Sequence, residues 1–346
     1  MKAVIMAGGM GSRLKAITGD IPKPMVPLLG RPLMEHIVNL LRRQGFDDIC
    51  AAVRYRAGDI MAHFGDGSRF GVDLQYRVED EPLGTAGAVK NCRDFYGDED
   101  FLVISGDAAC DFDLARLMAE HKNRDAAVSL ALCRRREPLR YGLAVTDGDG
   151  RIHSFVEKPD WSRVVTDQVN TGIYVISPRV MELVPEGREF DFAKDLFPLL
   201  LQRGELMLGL SLEGYWCDVG TPLSYYRCCA DALEGRLTLE LPEKFLSSEP
   251  AEGDSPAPEK WESLDCDCRS RAELMGRLSA ALMDIGAEYT DGLRLRGPRF
   301  LLRISPLASR SALRISVSSQ DTEFARELAL SARELAKALE RDGAEN

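Results

Sequence analysis

KAVIMAGGMGSRL, residues 2–14, joins an unbroken apolar run to a glycine-rich turn that carries Ser12 and Arg13. A strand apolar along its whole length is buried on both faces, and such strands belong to largely parallel sheets with helices on each side. The neighbouring sequence continues that pattern. RPLMEHIVNLLRRQG (31–45) has helical spacing, DICAAV (48–53) reads as a second strand and DIMAHF (59–64) as a helix. FLVIS (101–105) is again a strand and DLARLMAEH (113–121) a helix. This βαβα alternation predicts an α/β fold whose ligands bind beyond the carboxyl ends of the strands. After residue 140 come strand pairs, LAVTDGDGRIHSFVEK (143–158) and VNTGIYVIS (169–177), then helical stretches near 178–184, 192–203 and 222–234. The expectation is a mixed sheet with an antiparallel, substrate-binding portion.

The chain has 346 residues, enough for about two domains with real cores. Its 45% apolar and 29% charged residues exclude a mostly disordered chain. No apolar run approaches the roughly 18 residues of a membrane span, and the N-terminus lacks a signal cleavage pattern, so a cytoplasmic protein without membrane partners is expected. A net charge of −11 argues against a nucleic-acid coating protein. Any phosphate ligand must therefore be held by a local site. Nine cysteines, an odd number in a long chain, read as reduced thiols. Neither Cys228-Cys229 nor Cys266-x-Cys268 has zinc-ligand spacing.

Residues 240–265 contain four prolines, eight acidic and two basic residues, a net −6 that accounts for over half of the chain's charge. That is linker composition, separating a domain at 1–239 from a smaller one at 266–346. In the latter, ELMGRLSAALMDIG (273–286) reads as a helix, and LRLRG, RFLLRI and ALRISVSS as strands. A long terminal helix follows, with Asp321 as cap and Phe324, Leu328, Leu335 and Leu339 on one stripe. No internal repeat is present.

Gly8, Gly9, Gly11 and Ser12 would let the backbone turn sharply and aim its N–H groups at phosphate oxygens. Arg13 adds a charge, and Lys23, fixed between Pro22 and Pro24, adds another over the same loop. The pattern is neither a dinucleotide fingerprint, because Leu14 stands where a third glycine is needed, nor a Walker loop. Taken alone it is also compatible with a tight turn bearing surface cations. Asp107 lies after FLVIS at a strand's carboxyl end, and Asp218 precedes Val219-Gly220-Thr221. Two carboxylates from separate segments suit Mg2+, which takes one or two protein oxygens and completes its shell with water and phosphate. Asp147-Gly148-Asp149-Gly150, between two strand patterns, reads as a hairpin turn.

Together GGMGSRL, IPKPMVPLLGRP, DEPLGTAGAV, SGDAACDFDL, RYGLAV, FVEKP, VNTGIYV and CDVGTP resemble, in order, the signature set of the sugar-1-phosphate nucleotidyltransferases. The resemblance spans roughly residues 1–235, and among branches of the family it is greatest to the mannose-1-phosphate guanylyltransferases with a mutase-like C-terminal extension. It implies a Rossmann-like nucleotidyltransferase mixed sheet and the reaction of an NTP with a sugar 1-phosphate to give a nucleotide sugar and pyrophosphate. In the roles it implies, Gly8, Gly9, Gly11 and Ser12 line the nucleotide phosphates, with Arg13 on the leaving β and γ groups. Lys23 stabilises the pentavalent α-phosphorus, and Asp107 and Asp218 hold Mg2+. Gly84 and Thr85 belong to the nucleotide side. Gly142, Glu157, Lys158, Asn170 and Thr171 form the sugar-phosphate side, Glu157 accepting from sugar hydroxyls and Lys158 pairing with the phosphate.

Base choice falls to residues 79–86. Glu79 or Glu81 can accept the adjacent N1–H and N2–H2 of guanine, which favours GTP, although uracil and thymine also present an N3–H. Residues 268–342 resemble the last domain of phosphohexomutases, but the loop at Arg303–Ser311 lacks the usual T-E-P element and the chain has no Ser-His pair for a phosphoserine. Mutase activity is therefore not expected, and a docking, dimerisation or regulatory module, compatible with a homo-oligomer, is. A uridylyl- or thymidylyltransferase and a catalytically silent ligand-sensing homologue are the competing functions.

Overall fold

The structure is a computed structural model. It describes residues 1–9, 21–135, 138–233, 235–240, 260–270 and most of 274–342. Residues 10–20, 136–137, 234, 241–259, 343–346 and short stretches between 271 and 321 lie outside the description. Gly11, Ser12, Arg13 and Asp321 are among these. The chain forms two compact units, one built on residues 1–9, Ile21–Asp218 and Thr238–Glu240, the other on Val219–Leu237 and the described residues from Lys260 onward.

In the first unit β1 (Lys2–Ala7) runs through the middle of a nine-stranded mixed sheet, and a small hairpin of β2 (Pro27–Leu28) and β3 (Arg31–Pro32) follows. The parallel half adds β4 (Asp48–Val53), β5 (Asp73–Val78) and β6 (Phe101–Ser105), in the order β6-β1-β4-β5. Beyond β6 the turn Gly106–Asp107 leads into β7 (Ala108–Cys110). The other half comprises β8 (Val128–Arg134), β9 (Leu143–Thr146), β10 (Ile152–Val156), β11 (Gln168–Ile176) and β12 (Met207–Ser211). Here β11 lies antiparallel to β6, β8 and β9, and β9 to β10. β13 (Trp216–Asp218) pairs antiparallel with β7 outside the main sheet.

Helices cover both faces, as the apolar β1 requires. Ala3, Ile5 and Ala7 point into one core with Met34, Ile37 and Leu41 of α1 (Leu33–Arg43). That core lies also against α2 (Ala57–Phe64) through Ile60 and Phe64. Val4 points the other way, toward Val89 of α3 (Gly84–Lys90) and Tyr96 of α4 (Arg93–Tyr96). α5 (Leu114–Asn123) joins the first core, while α6 (Pro178–Met181), the π-turn Phe192–Leu196 and α7 (Phe197–Gln202) join the second. The expected turn at Asp147–Gly150 is a hairpin joining β9 to β10. The Asp147 carboxylate accepts from the amides of Asp149 and Arg151, both at 2.9 Å.

The second unit contains α8 (Pro222–Leu233) and an antiparallel sheet of β14 (Lys260–Asp267), β15 (Glu288–Tyr289), β16 (Leu293–Gly297), β17 (Phe300–Pro306) and β18 (Ala312–Ser319). Its strand order is β14-β18-β17-β16-β15, and α9 (Thr322–Asp342) closes it. Two expectations change here. Residues 260–265 are not tether but strand, paired with β18 from Lys260↔Ser319 to Asp265↔Arg314; the acidic composition masked an alternation that buries Cys266 and half-buries Leu264. Arg303–Pro306, read as the start of a phosphate loop, belongs to β17, where Arg303 faces Arg294 and Ser316. On α9 the expected Leu328, Leu335 and Leu339 join this core, beside the buried Ala325, Ala329, Ala332 and Ala336. All nine cysteines are free thiols. Among the described residues no helix is long and apolar enough to cross a membrane.

Candidate functional site

Register aligns the carboxyl ends of the parallel strands. Ala7 lies beside Val53, Val53 beside Val78, and Met6 beside Ser105. The next residues, Gly8, Arg54, Glu79 and Gly106, therefore leave the sheet along one edge. Glu79 is buried there. One of its carboxylate oxygens accepts from the Leu83 amide at 3.3 Å, and the other lies 3.2 Å from where a Cβ on Gly8 would stand. Burial pushes the Glu79 carboxyl above its ordinary range, against the Leu83 amide and the nearby Arg54. Gly9 lies in the open loop beyond. Glu81 is exposed.

The turn Lys23–Met25 starts from the extended Pro22, and proline rings on both sides of Lys23 limit the backbone that carries it. The Lys23 side chain is only 8% exposed, against 27% for Asp107 and 33% for Asp218. Its ammonium donates to Asp107 and, at 3.2 Å, to Asp218. Pairing of β13 with β7 sets Asp218 opposite Ala108, next to Asp107. The second Asp107 oxygen accepts from the Ser105 hydroxyl at 2.5 Å. Burial works to raise the Asp107 pKa, but Lys23 and Ser105 outweigh it and hold the carboxyl below its usual value. Burial likewise works to lower Lys23, and the two aspartates outweigh it. Two carboxylates thus share one cation, here the lysine's own.

The segment 83–87, expected on the nucleotide side, is laced to residues 190–192. Gly84 has φ +70, and a Cβ on it would lie 2.7 Å from the Phe190 carbonyl oxygen, so only glycine fits without strain. The Ala86 and Gly87 amides donate to that same carbonyl at 2.9 and 3.0 Å. Thr85 is exposed, yet its hydroxyl donates to Asp191 at 3.1 Å and accepts from the Phe192 amide at 2.9 Å.

On the antiparallel half Leu143 pairs with both Val156 and Val169, which brings Gly142, Glu157 and Asn170 together. The Asn170 amide donates to the Gly142 carbonyl at 2.8 Å. A Cβ on Gly142 would lie 2.6 Å from Phe155 Cζ and 2.8 Å from a Glu157 oxygen. Lys158, with φ +43, projects an exposed ammonium 3.7 Å from Glu157. Asn170 stands at a β11 bulge, donating to the Tyr174 hydroxyl at 2.9 Å. Thr171 is different: it is buried, and its hydroxyl donates to the Ala131 carbonyl at 2.7 Å, so it braces the bulge.

Sequence patterns passed over Ser105, Arg54 and Tyr141. Ser105 had a signal, as the hydroxyl ending the strand before Gly106-Asp107. Tyr141, next to Gly142, packs edge-on against Trp216 with ring centres 5.4 Å apart, and burial followed by the charge of Asp218 raises its phenol pKa. It ties the Glu157 group to the Lys23–Asp107–Asp218 group.

Residues 2–235 match the nucleotidyl transferase family. The chain belongs to it. A UTP–glucose-1-phosphate uridylyltransferase of Synechocystis is 37% identical to this family member over 254 residues, 70% of this chain and 64% of the relative. A mannose-1-phosphate guanylyltransferase of Mycobacterium tuberculosis is 35% identical over 234 residues, 67% of this chain and 65% of the relative. The chain thus spans just under two thirds of the length of these curated relatives. A crystal structure of a putative glucose-1-phosphate thymidylyltransferase from Bacillus anthracis superposes with a TM-score of 0.63 at 29% identity, covering 71% of this chain and 99% of that one. The Rossmann-like mixed sheet is therefore the nucleotidyltransferase fold, with an additional C-terminal sheet.

Proposed function

We propose that the protein transfers a nucleotidyl group from an NTP to a sugar 1-phosphate, releasing pyrophosphate, with GTP and mannose 1-phosphate as the favoured pair. The observation that carries this reading is the convergence of Lys23, Asp107 and Asp218 at the carboxyl edge that also bears Gly8 and Glu79. A sugar-phosphate oxygen attacks the α-phosphorus while the bond to the β-phosphate breaks and pyrophosphate takes the electron pair. The nucleophile is already ionised, so no side chain needs to remove a proton, and positioning and charge neutralisation supply the rate.

Lys23 neutralises the α-phosphoryl group, and Arg13 is assigned to the β and γ groups. Gly8, Gly9, Gly11 and Ser12 supply backbone room and N–H groups. Asp107 and Asp218 fit Mg2+, since the two carboxylates already share a cation. When bound, Mg2+ supplies charge neutralisation between nucleotide and sugar phosphates. Glu157 accepts from sugar hydroxyls where Gly142 leaves room, Asn170 adds an amide, and Lys158 faces the sugar phosphate. Gly84 and Thr85 shape the nucleotide side by holding segment 83–87 on residues 190–192, and Thr171 shapes the sugar side through the bulge.

Glu79 favours guanine, because a buried acceptor-only carboxylate matches the paired N1–H and N2–H2 donors. The second reading, uridylyl or thymidylyl transfer to glucose 1-phosphate, is favoured by the similar identities of the Synechocystis and B. anthracis relatives. For the second unit, whose sequence resembles the last phosphohexomutase domain but lacks the T-E-P element, a docking, dimerisation or regulatory module is inferred. Pyrophosphate release is to be measured with GTP, UTP and dTTP against mannose 1-phosphate and glucose 1-phosphate, in Mg2+. The highest kcat/KM is expected for GTP with mannose 1-phosphate. A higher value for UTP or dTTP would replace that assignment, and no turnover with any pair would overturn the enzyme reading in favour of a ligand sensor.

A further inference from the structure

In the free protein the position between Asp107 and Asp218 is filled from within. Lys23 reaches it from a proline-flanked turn 84 residues before one carboxylate and 195 before the other. The Lys23 side chain is almost fully buried, and both Asp107 oxygens are already engaged, one by Lys23 and one by Ser105. A divalent cation touching both carboxylates would stand beside this ammonium in a half-buried pocket, where like charges repel with little screening. The two cations therefore compete. The lysine stem is long and flexible, so the ammonium can leave once another anion offers itself. On the nucleotidyl-transfer reading an NTP brings such anions to Gly8 and Gly9, just beyond the carboxyl end of β1.

We propose that Lys23 is the resident counter-ion of the Asp107–Asp218 pair and excludes divalent metal until nucleotide phosphates draw the ammonium away. This rests on the nucleotidyl-transfer reading, and it adds to it an order: nucleotide and metal enter together, and metal alone binds weakly. The lysine then has two successive partners. It neutralises the aspartates in the free protein and the phosphates in the loaded one, so the pocket never carries two bare carboxylates.

The test uses Mn2+ alone, without nucleotide, with free Mn2+ counted by electron paramagnetic resonance on the full chain. Lys23→Met is expected to bind Mn2+ at least about tenfold tighter than wild type, and adding Asp107→Asn to that variant is expected to abolish the gain. Circular dichroism checks that the variants are folded. A second measurement needs no variant: in wild type, acylation of Lys23 by an amine-reactive ester, read by mass spectrometry, is expected to rise in step with Mn2+ occupancy. Equal Mn2+ affinity in wild type and Lys23→Met, or a filled metal site with Lys23 still protected, would overturn the proposal. Pyrophosphate release in Mg2+ is scored separately, so loss of the counter-ion role is distinguishable from loss of the enzyme reading.

Discussion

Gly142→Ala probes the sugar side through a single methyl group. The new Cβ would stand 2.6 Å from Phe155 Cζ and 2.8 Å from a Glu157 oxygen, when ordinary contacts need roughly 1 Å more. The Gly142 backbone cannot retreat freely, since its carbonyl takes the Asn170 amide at 2.8 Å. Nor can the Phe155 ring, which packs edge-on against the fully buried Phe197 at 5.3 Å. Overpacking of this kind costs about 1–3 kcal/mol, or about 2–4 °C in Tm per kcal/mol for a domain of this size. Glu157 is the part that yields, being a long side chain one quarter exposed. On the proposed reading, its displacement would remove a charged hydrogen bond to the sugar worth about 1.5–3 kcal/mol. The KM for sugar 1-phosphate is therefore expected to rise roughly 10- to 100-fold with the KM for NTP unchanged. Thermal melting and steady-state kinetics are the assays, and Gly142→Ala/Phe155→Leu completes a cycle in which Tm recovers but the sugar KM does not. An unchanged Tm together with an unchanged sugar KM would refute the placement of Glu157 beside Gly142 and its role in sugar binding.

Lys23→Ala and Asp107→Ala are each expected to lower kcat by orders of magnitude, because each removes charge stabilisation that strengthens in the transition state; rates equal to wild type would refute those roles. Gly84→Ala is expected to lower stability by about 1–3 kcal/mol or more, given φ +70 and the 2.7 Å approach to the Phe190 carbonyl, and an unchanged urea midpoint would contradict that geometry. Burial lowers the pKa of His36, outweighing the Leu28 carbonyl, and lowers that of His121, outweighing Asp100. Below their ordinary value of 6.5 the unfolded chain binds protons that the folded one resists, so stability falls with acid through that range. The decline in Tm from about pH 7 to about pH 5 is expected to be shallower in His36→Gln and His121→Gln, and an equal slope in both would count against neutral burial.

What the sequence disclosed followed from local chemistry. β1 was legible because Ala3–Ala7 is apolar throughout, and the two cores receive its alternate residues as continuous burial demands. Asp107 and Asp218 were legible as carboxylates at two strand ends. Their sharing of the Lys23 ammonium was not, because no local pattern reports a contact made across so much chain. Thr171 lay next to Asn170 in the pocket motif, yet the β11 bulge turns its hydroxyl onto Ala131. Arg303 kept the look of a phosphate-loop arginine, but the alternation of Leu302 and Ile304 into the core makes its segment a strand.

Both halves of the candidate site use one device. On the parallel side Gly8, Arg54, Glu79 and Gly106 are the first residues beyond the paired ends of β1, β4, β5 and β6, and on the antiparallel side Gly142 and Glu157 stand just outside the β9–β10 ladder. Such positions leave backbone and side chain free for a ligand while the adjoining residue is fixed in a ladder with a buried side chain. A one-residue slip of β10 against β9 would turn Glu157 to the opposite face along with Phe155. Phe155 prevents it, because its ring is held against Phe197 in the core. On the proposed reading, the placement of Glu157 for a sugar therefore depends on a hydrophobic contact between Phe155 and Phe197 that lies in the core.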